Sequence, residues 1–599
     1  MNFARFLITF VFSRFFKKIY ICLVPDTFWN FYTQALRSVC QELLSQDKRN
    51  MIIALRCNNN LPFCVSSLLL QDEFRFLNLN EKKQGVCKAC RKGGNRYFKS
   101  SWRLFLIYFL KFDINKLRFF ELTTKAMSEF SLFGVPVGKI CYGEILRECQ
   151  IQKSIALEKI SRELLGSKIL SCCLTIFNLN FFLKLFKLEG LIYFQDYSYN
   201  LAGSLFLRKH AVPVFRVSYP SLIGVRPELT IISKNSRIES SICLKESWEK
   251  IKNYPLSPQM IRAIALHQIH RMTKKGHTVF SPVNWRSTEE LKSYLEIENS
   301  KVILLFTSSD DEVQAIRQWA EHYPFSLNFC KEKFKDQIEF INYLANLVQG
   351  FQGVWKLVIR AHPREGGFIN KRITQPYHQY LPILDKYKFI KLIEPHDNIS
   401  SYNLFNVADL IATGWSSIGL EALICGAPVV RGFFNEVPAP EKGIFLELNF
   451  STDNVFFAKN FQNSDFYRKL LYGFRWYFWE NYSEIFSLNK TTNLFNNLFP
   501  NTFNLKSILN DLTPERPGVQ ELSYKTLAQE YEEIQKTLLL FFDFFSNKNY
   551  VKELNFNSLE IEEAIYEKIR KDLFNFDLDN PFPGKQAARL YSLIKCSGV

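Results

Sequence analysis

From residue 301 onward, short apolar runs alternate with amphipathic ones at regular spacing, and this rhythm limits the fold more than any other feature of the chain. Strands are predicted at 302–306, 356–360, 389–393, 410–412 and 428–431, with helices around 336–347, 376–387, 401–407 and 417–425 between them. A parallel strand needs a crossover long enough to hold a helix, so strict alternation predicts a parallel, doubly wound sheet. Ligands of such a sheet bind beyond the carboxyl ends of its strands. The first part of the chain opens the same way, with strands at 19–24 and 51–56 around a helix at 28–44. A Gly- and Pro-bearing turn at 134–138 feeds a helix starting near Cys141, and buried strands are expected at 191–194 and 212–217. Between about 225 and 295 the periodicity weakens, which places the connection between two α/β domains there.

The 599 residues are too many for one core and enough for two or three. We expect a surface segment at 1–18, a first Rossmann-like domain at 19–285, a second at 286–504 and a helical extension at 505–599. The net charge of +18 favours an anionic partner: nucleotide phosphate, acidic glycan, nucleic acid or anionic membrane. Nucleic acid ranks last, because no recognition motif accompanies the charge. Residues 2–16 are apolar but interrupted by Arg5 and Arg14, too short and too charged to span a bilayer. They read either as an in-plane membrane anchor or as a helix packed on the first domain. Fourteen cysteines without a dense framework fit free thiols in a reducing cytoplasm. Cys57, Cys64, Cys87 and Cys90 nevertheless form a candidate structural zinc site, although the first pair is spaced wider than a usual knuckle.

Two motifs fall at predicted strand ends. The first is Ile359-Arg360-Ala361-His362-Pro363, which ends a buried strand with an imidazole and then turns the chain at Pro363. There His362 could hydrogen-bond a phosphate oxygen or assist a leaving group, with Arg360 or Arg364 adding positive charge; a structural His at a strand end is the plainer reading. The second runs from Asp409 to Ala422 as strand, polar turn and helix. Ser416 or Ser417 can cap that helix, Gly414 and Gly419 permit a tight turn and close packing, and Glu421 could accept from ribose hydroxyls or only complement the helix dipole. Ser308, Ser309, Asp310 and Asp311 follow the first strand of the same sheet. They are candidate cleft contacts or simply an acidic helix start.

The order of these segments, together with Asp397 in the run 394–402, resembles the capsular polysaccharide biosynthesis family, which is similar to glycosyltransferases of the GT-B fold such as bacterial sialyltransferases and Kdo transferases. The likeness is strong over about 135 residues and looser in the first domain, at 133–138 and 191–217. It implies two Rossmann-type domains whose parallel sheets face a cleft. It also implies an inverting, metal-independent transfer from a nucleotide sugar, CMP-linked in some relatives, to a glycan or glycolipid acceptor. By that resemblance His362, Pro363, Ser416 and Ser417 hold the donor nucleotide and its phosphate, and no cofactor is required for catalysis. The family's base comes from the first domain, where Asp196 is the nearest candidate; Gln195-Asp196-Tyr197 departs from the family's paired acids and glycine, and a solvated loop aspartate is the alternative. Expected alternatives for the whole chain are a polyol-phosphate transferase or nucleotide-sugar epimerase on the same fold, or a non-catalytic scaffold of a polysaccharide assembly complex. The expected location is the cytoplasm, with peripheral contact at the inner face of the membrane.

Overall fold

The structure, a computed structural model, describes most of residues 18–57, 103–110, 122–149, 162–218, 229–234, 286–320, 336–366 and 375–432, with short pieces near 61–64, 87–98, 281–282 and 472–487. The expected extension at 505–599, and the expected surface segment apart from Phe16 and Lys18, lie outside the described residues.

The first domain runs β1 (Lys18–Val24), α1 (Asn30–Gln46), β2 (Asn50–Arg56), β3 (Leu104–Tyr108), α2 (Thr124–Ser128), α3 (Val137–Cys149), α4 (Arg162–Leu185), β4 (Leu188–Phe194), α5 (Ser198–Lys209), β5 (Val214–Ser218) and β6 (Leu229–Lys234). The second runs α6 (Thr288–Leu295), β7 (Lys301–Phe306), α7 (Asp310–Ala320), α8 (Gln337–Gly350), β8 (Trp355–Arg360), α9 (Gln375–His378), α10 (Leu381–Lys386), β9 (Lys391–Ile393), β10 (Leu410–Thr413), α11 (Ile418–Ile424) and β11 (Val429–Arg431). A last strand, β12 (Ile485–Ser487), follows.

The expected α/β class with two Rossmann-like sheets is what the strands form. Among the described residues the second sheet has the order β11-β10-β7-β8-β9, all parallel. In the first sheet, ordered β12-β6-β5-β4-β1-β2-β3, β1 to β5 are parallel while β6 and β12 pair antiparallel at one edge. Strands covered on both faces read as continuous apolar runs, and β2, buried at every position, is of this kind. The expected second-domain range 286–504 therefore needs correction at β12, which lies inside it yet joins the first sheet through Ile485 opposite Ile231. Three residues are too few for alternation to reveal such a strand.

Helix starts follow local chemistry. Ser287 and Glu290 make a reciprocal capping box on α6, and the Asp336 carboxylate accepts the Glu339 N–H at the start of α8. The single helix expected at 376–387 is two short ones, α9 and α10, and the one at 401–407 is a 3₁₀ turn at Asn403–Asn406. Strand β3 and helix α4 were not anticipated. Helix α4 is apolar around most of its circumference, and this is a core helix's signature: it is long and apolar enough to cross a membrane, yet it packs on α3 and α5 with its central residues buried.

Both sheets reverse their strand order once. In the first, the chain moves outward from β1 to β3 and then returns to place β4 on the other side of β1; in the second, β10 takes the vacant side of β7 after β8 and β9. Such reversals open crevices at the carboxyl ends, where the two crossovers leave toward opposite faces. The domains meet where α3 crosses α7. A Cβ on Gly143 would stand 2.7 Å from the Ala315 carbonyl oxygen, so only glycine permits this approach.

Candidate functional site

The carboxyl edge of the second sheet gathers three turns side by side: after β7 (307–309), after β8 (361–363) and after β10 (Gly414, Ser416 and Ser417). The His362 backbone N–H donates to Thr307 Oγ1 at 2.8 Å, tying the first two together. Pro363 opens a 3₁₀ turn through Gly366, within which the Arg364 N–H donates to His362 Nδ1 at 3.2 Å. With Nδ1 accepting, the neutral ring carries its proton on Nε2. The ring keeps some exposed surface but is crowded enough that desolvation, with Arg364 and Arg360 nearby, pushes its pKa down to about 4 against the pull of Glu312. His362 is thus a neutral donor at physiological pH.

The third turn holds the paired serines. Ser416 Oγ accepts the Ile418 N–H at 3.4 Å, and Ser417 Oγ donates to Glu421 Oε1 at 2.9 Å. Gly414, buried, accepts from Arg431 Nε at 3.3 Å, while Gly419 brings α11 against Thr413. Two expected ligand contacts are placed differently. Glu421 is buried, with Oε2 accepting from Tyr402 at 2.7 Å as well as Oε1 from Ser417, so it braces the turn from behind. Arg360 is buried and donates to the Glu394 and Asp397 carbonyls, holding the loop after β9, and burial lowers its pKa to about 10. Asp397 closes that same loop, accepting from the Glu394 N–H and from Tyr294.

Behind the edge lies a polar network that the sequence did not announce. Ser308 N–H donates to Gln337 Oε1 (2.7 Å), Gln337 Nε2 to Tyr380 (2.7 Å), and Tyr380 to Glu365 Oε1 (2.9 Å), all buried. Burial, with Asp311 and Asp310 nearby, raises the Glu365 pKa well above the usual carboxyl range. Ser309 donates to Asp311 Oδ1, and Asp310 stays half-exposed at the start of α7. Arg364 links the two domains: Nη2 lies 2.7 Å from Asp311 Oδ2 and donates to the Arg147 carbonyl of α3, and Nη1 lies 2.7 Å from Glu312 Oε1. Burial raises the Asp311 pKa to about 6 even against the lowering by Arg364 and Ser309.

In the first domain, the turn after β4 lines a crevice shared with Arg147 of α3 and Ala315 of α7. Asp196 Oδ2 pairs with Arg216 Nε at 3.0 Å and Oδ1 accepts from Tyr193 at 3.0 Å. Beside it Lys168, fully buried in α4, lies 2.8 Å from both Glu144 Oε2 and Glu148 Oε2, with the Phe63 ring 3.7 Å away. Desolvation opposes the lysine's charge, but the two carboxylates outweigh it and hold its pKa above the ordinary value. The same burial raises Glu148 to about 7, while Lys168 and other partners overcome it at Glu144 and lower that pKa. The signal for this triad was present: a lysine inside the apolar run 164–182, and Glu144 and Glu148 one helical turn apart. What was not readable was that α3 lies alongside α4.

Of the four cysteines considered for zinc, Cys57 and Cys64 pack on the first domain's core and all four are partly exposed. Among the described residues no three His, Cys, Asp or Glu side chains come together as a metal site.

No protein-family model matches the chain, and no curated protein matches it. Among solved structures it is similar to a β-Kdo 2,4 transferase, KpsC of Thermosulfurimonas dismutans, at 16% identity and a TM-score of 0.28, covering 41% of this chain and 68% of that one. It is also similar to the UDP-GlcNAc 2-epimerase of Neisseria meningitidis bound to UDP-GlcNAc, at 13% identity and a TM-score of 0.25, covering 76% and 94%. The S. aureus MnaA–UDP structure shares 13% identity with a TM-score of 0.20 over 69% and 78%. At such values the likenesses carry neither fold nor function, and the architecture rests on the strand order alone.

Proposed function

We propose that the second domain binds a nucleotide sugar and that the protein is a glycosyltransferase of bacterial capsular or surface polysaccharide synthesis, passing the sugar to a glycan or glycolipid held by the first domain. One observation supports this most directly: the strand-order reversal between β7 and β10 lies beside His362, which the turn after β8 holds as a neutral imidazole. A neutral donor suits a phosphate oxygen that gains charge as the bond to the sugar breaks. The turn at Ser416 and Ser417 is the second proposed phosphate contact, and the half-exposed Asp310 a proposed acceptor contact. In this reading the acceptor hydroxyl attacks the anomeric carbon from the face opposite the nucleotide, inverting its configuration. The hydroxyl proton passes to a first-domain carboxylate, for which Asp196 is the candidate, and the nucleotide leaves with the bonding pair. The basic chain would work in the cytoplasm, against the inner face of the membrane.

The test is a thermal-shift screen of CMP-, UDP- and GDP-linked sugars on wild type, His362→Ala and the double variant Ser416→Ala/Ser417→Ala. The reading expects one nucleotide class to stabilise wild type and to lose its effect in both variants. No stabilisation by any nucleotide sugar, or the same stabilisation in all three proteins, would sink it. Product analysis separates transfer from epimerisation: a transferase releases free nucleotide only with an acceptor, whereas an epimerase returns the nucleotide sugar with one inverted carbon.

A further inference from the structure

Between α3, α5 and α7 lies a narrow crevice lined by Ile140, Gly143, Glu144, Arg147, Asp196, Ser198, Leu201 and Ala315. It sits at the strand-order reversal of the first sheet, beside the turn that follows β4. Its accessible space is ≈ 10 Å³, about the room one oxygen atom needs. Two of its polar groups lack partners among the described residues. Ser198 is 1% exposed and its Oγ has no hydrogen-bond partner. The Arg147 guanidinium makes neither a hydrogen bond nor an ion pair and feels Glu144, Glu148 and Glu312 only at longer range, a net attraction that raises its pKa despite the opposing desolvation.

The two carboxylates in the wall make their close contacts with other groups, and Glu144 acts on that guanidinium only at longer range. Glu144 has Oε2 on Lys168 and Oε1 on the Ser198 N–H at 3.0 Å, and Asp196 has one oxygen on Arg216 and the other on Tyr193. Both wall acids thus have their carboxylate oxygens engaged elsewhere, which leaves the five Arg147 guanidinium donors without a hydrogen-bonded acceptor among the described residues. A guanidinium so placed matches a planar or tetrahedral oxyanion, and an adjacent hydroxyl adds a further donor. The chain's net charge of +18 draws anionic ligands.

We propose that Arg147 and Ser198 form an oxyanion subsite of the first domain, taking a carboxylate or phosphate carried by a sugar or polyol. One ligand oxygen fills the crevice between them, and the remainder of the ligand lies toward the interdomain cleft. The contact between Gly143 and Ala315 closes one side, so entry requires α3 and α7 to part.

Binding is measured on the full chain with no nucleotide present, so the outcome does not depend on the nucleotide-sugar reading. Isothermal titration calorimetry with glucuronate, glycerol phosphate, inorganic phosphate and glucose separates carboxylate from phosphate sources and both from neutral sugar. We expect at least one anionic probe to bind wild type and glucose not to. Arg147→Ala and Ser198→Ala should each weaken that probe, the arginine variant by roughly tenfold or more. Arg147→Lys should recover part of the loss. The control Lys388→Ala removes one positive charge from an exposed ion pair with Asp385 on the second domain and should change nothing. Equal weakening by Lys388→Ala, unchanged affinity in both Arg147→Ala and Ser198→Ala, or no anionic probe binding wild type at millimolar concentration would overturn the proposal. Should Arg147→Ala fail to fold, Ser198→Ala decides alone.

Discussion

Arg364 Nη2 and Asp311 Oδ2 stand 2.7 Å apart with side-chain exposures of 6% and 0%, and the same guanidinium nitrogen reaches across the domain boundary to the Arg147 carbonyl. One ion pair therefore orders the start of α7, the 3₁₀ turn after His362 and the contact between domains. Its removal leaves a buried carboxylate alone.

Arg364→Leu should cost about 3 kcal/mol at neutral pH, the usual penalty for breaking a buried pair. The cost should grow with pH. Asp311 already has a folded pKa raised to about 6, so its favourable contribution is present below its unfolded pKa and is lost as pH rises through the folded value. Without Arg364 that pKa climbs further, and the penalty for ionised Asp311 increases between pH 5 and pH 8. Thermal melts of wild type and variant at both pH values check this; a gap that narrows with rising pH would contradict it.

In the first domain, Lys168→Met should destabilise by roughly 3–5 kcal/mol, since it leaves Glu144 and Glu148 facing each other without a cation. Glu148→Gln should behave differently. The Glu148 pKa of about 7 lies above its unfolded value, so wild type loses stability as pH rises toward and past 7. The glutamine variant lacks that loss and should gain on wild type from pH 5 to pH 8.5 in urea titrations.

The affinity for the nucleotide sugar should be flat from pH 6 to pH 8 as far as His362 is concerned. Its pKa of about 4 keeps the ring neutral across that range. Calorimetric affinities rising steeply on acidification through pH 6.5 would mean that imidazolium is the binding form. His362→Ala should weaken binding by roughly tenfold, the loss of one hydrogen bond to a charged group.

Gly143→Val should push α3 away from α7, because the added Cβ meets the Ala315 carbonyl at 2.7 Å and backbone cannot swing aside as a flexible side chain can. We expect a loss of about 1–3 kcal/mol in denaturant melts. We also expect a larger radius in small-angle scattering as the domains separate. An unchanged radius with unchanged stability would show that the crossing is looser than the geometry implies.

Much of this could be read from the chain itself. Short continuous apolar runs such as 51–56 and 302–306 read as strands covered on both faces, and their alternation with helices sets a parallel sheet; the expected strands are found within a few residues of their predicted ends, while β3, β6 and β12 were not legible. His362 and the paired serines were locatable for the same reason, since a polar residue directly after a buried strand stands at the sheet's edge. Side-chain partnership was not readable. Glu421 looked like a ligand contact because it lies on the first turn of a helix, but Tyr402, nineteen residues away, claims it. Arg360 looked like a phosphate contact and instead holds the loop after β9. The pairing of Lys168 with Glu144 and Glu148, and of Arg364 with Asp311, depends on which helices lie side by side. Periodicity is a local property and determined the elements of this protein. Whether a charged group meets a partner, water or a ligand depends on packing between distant segments, and the tertiary structure alone decided it.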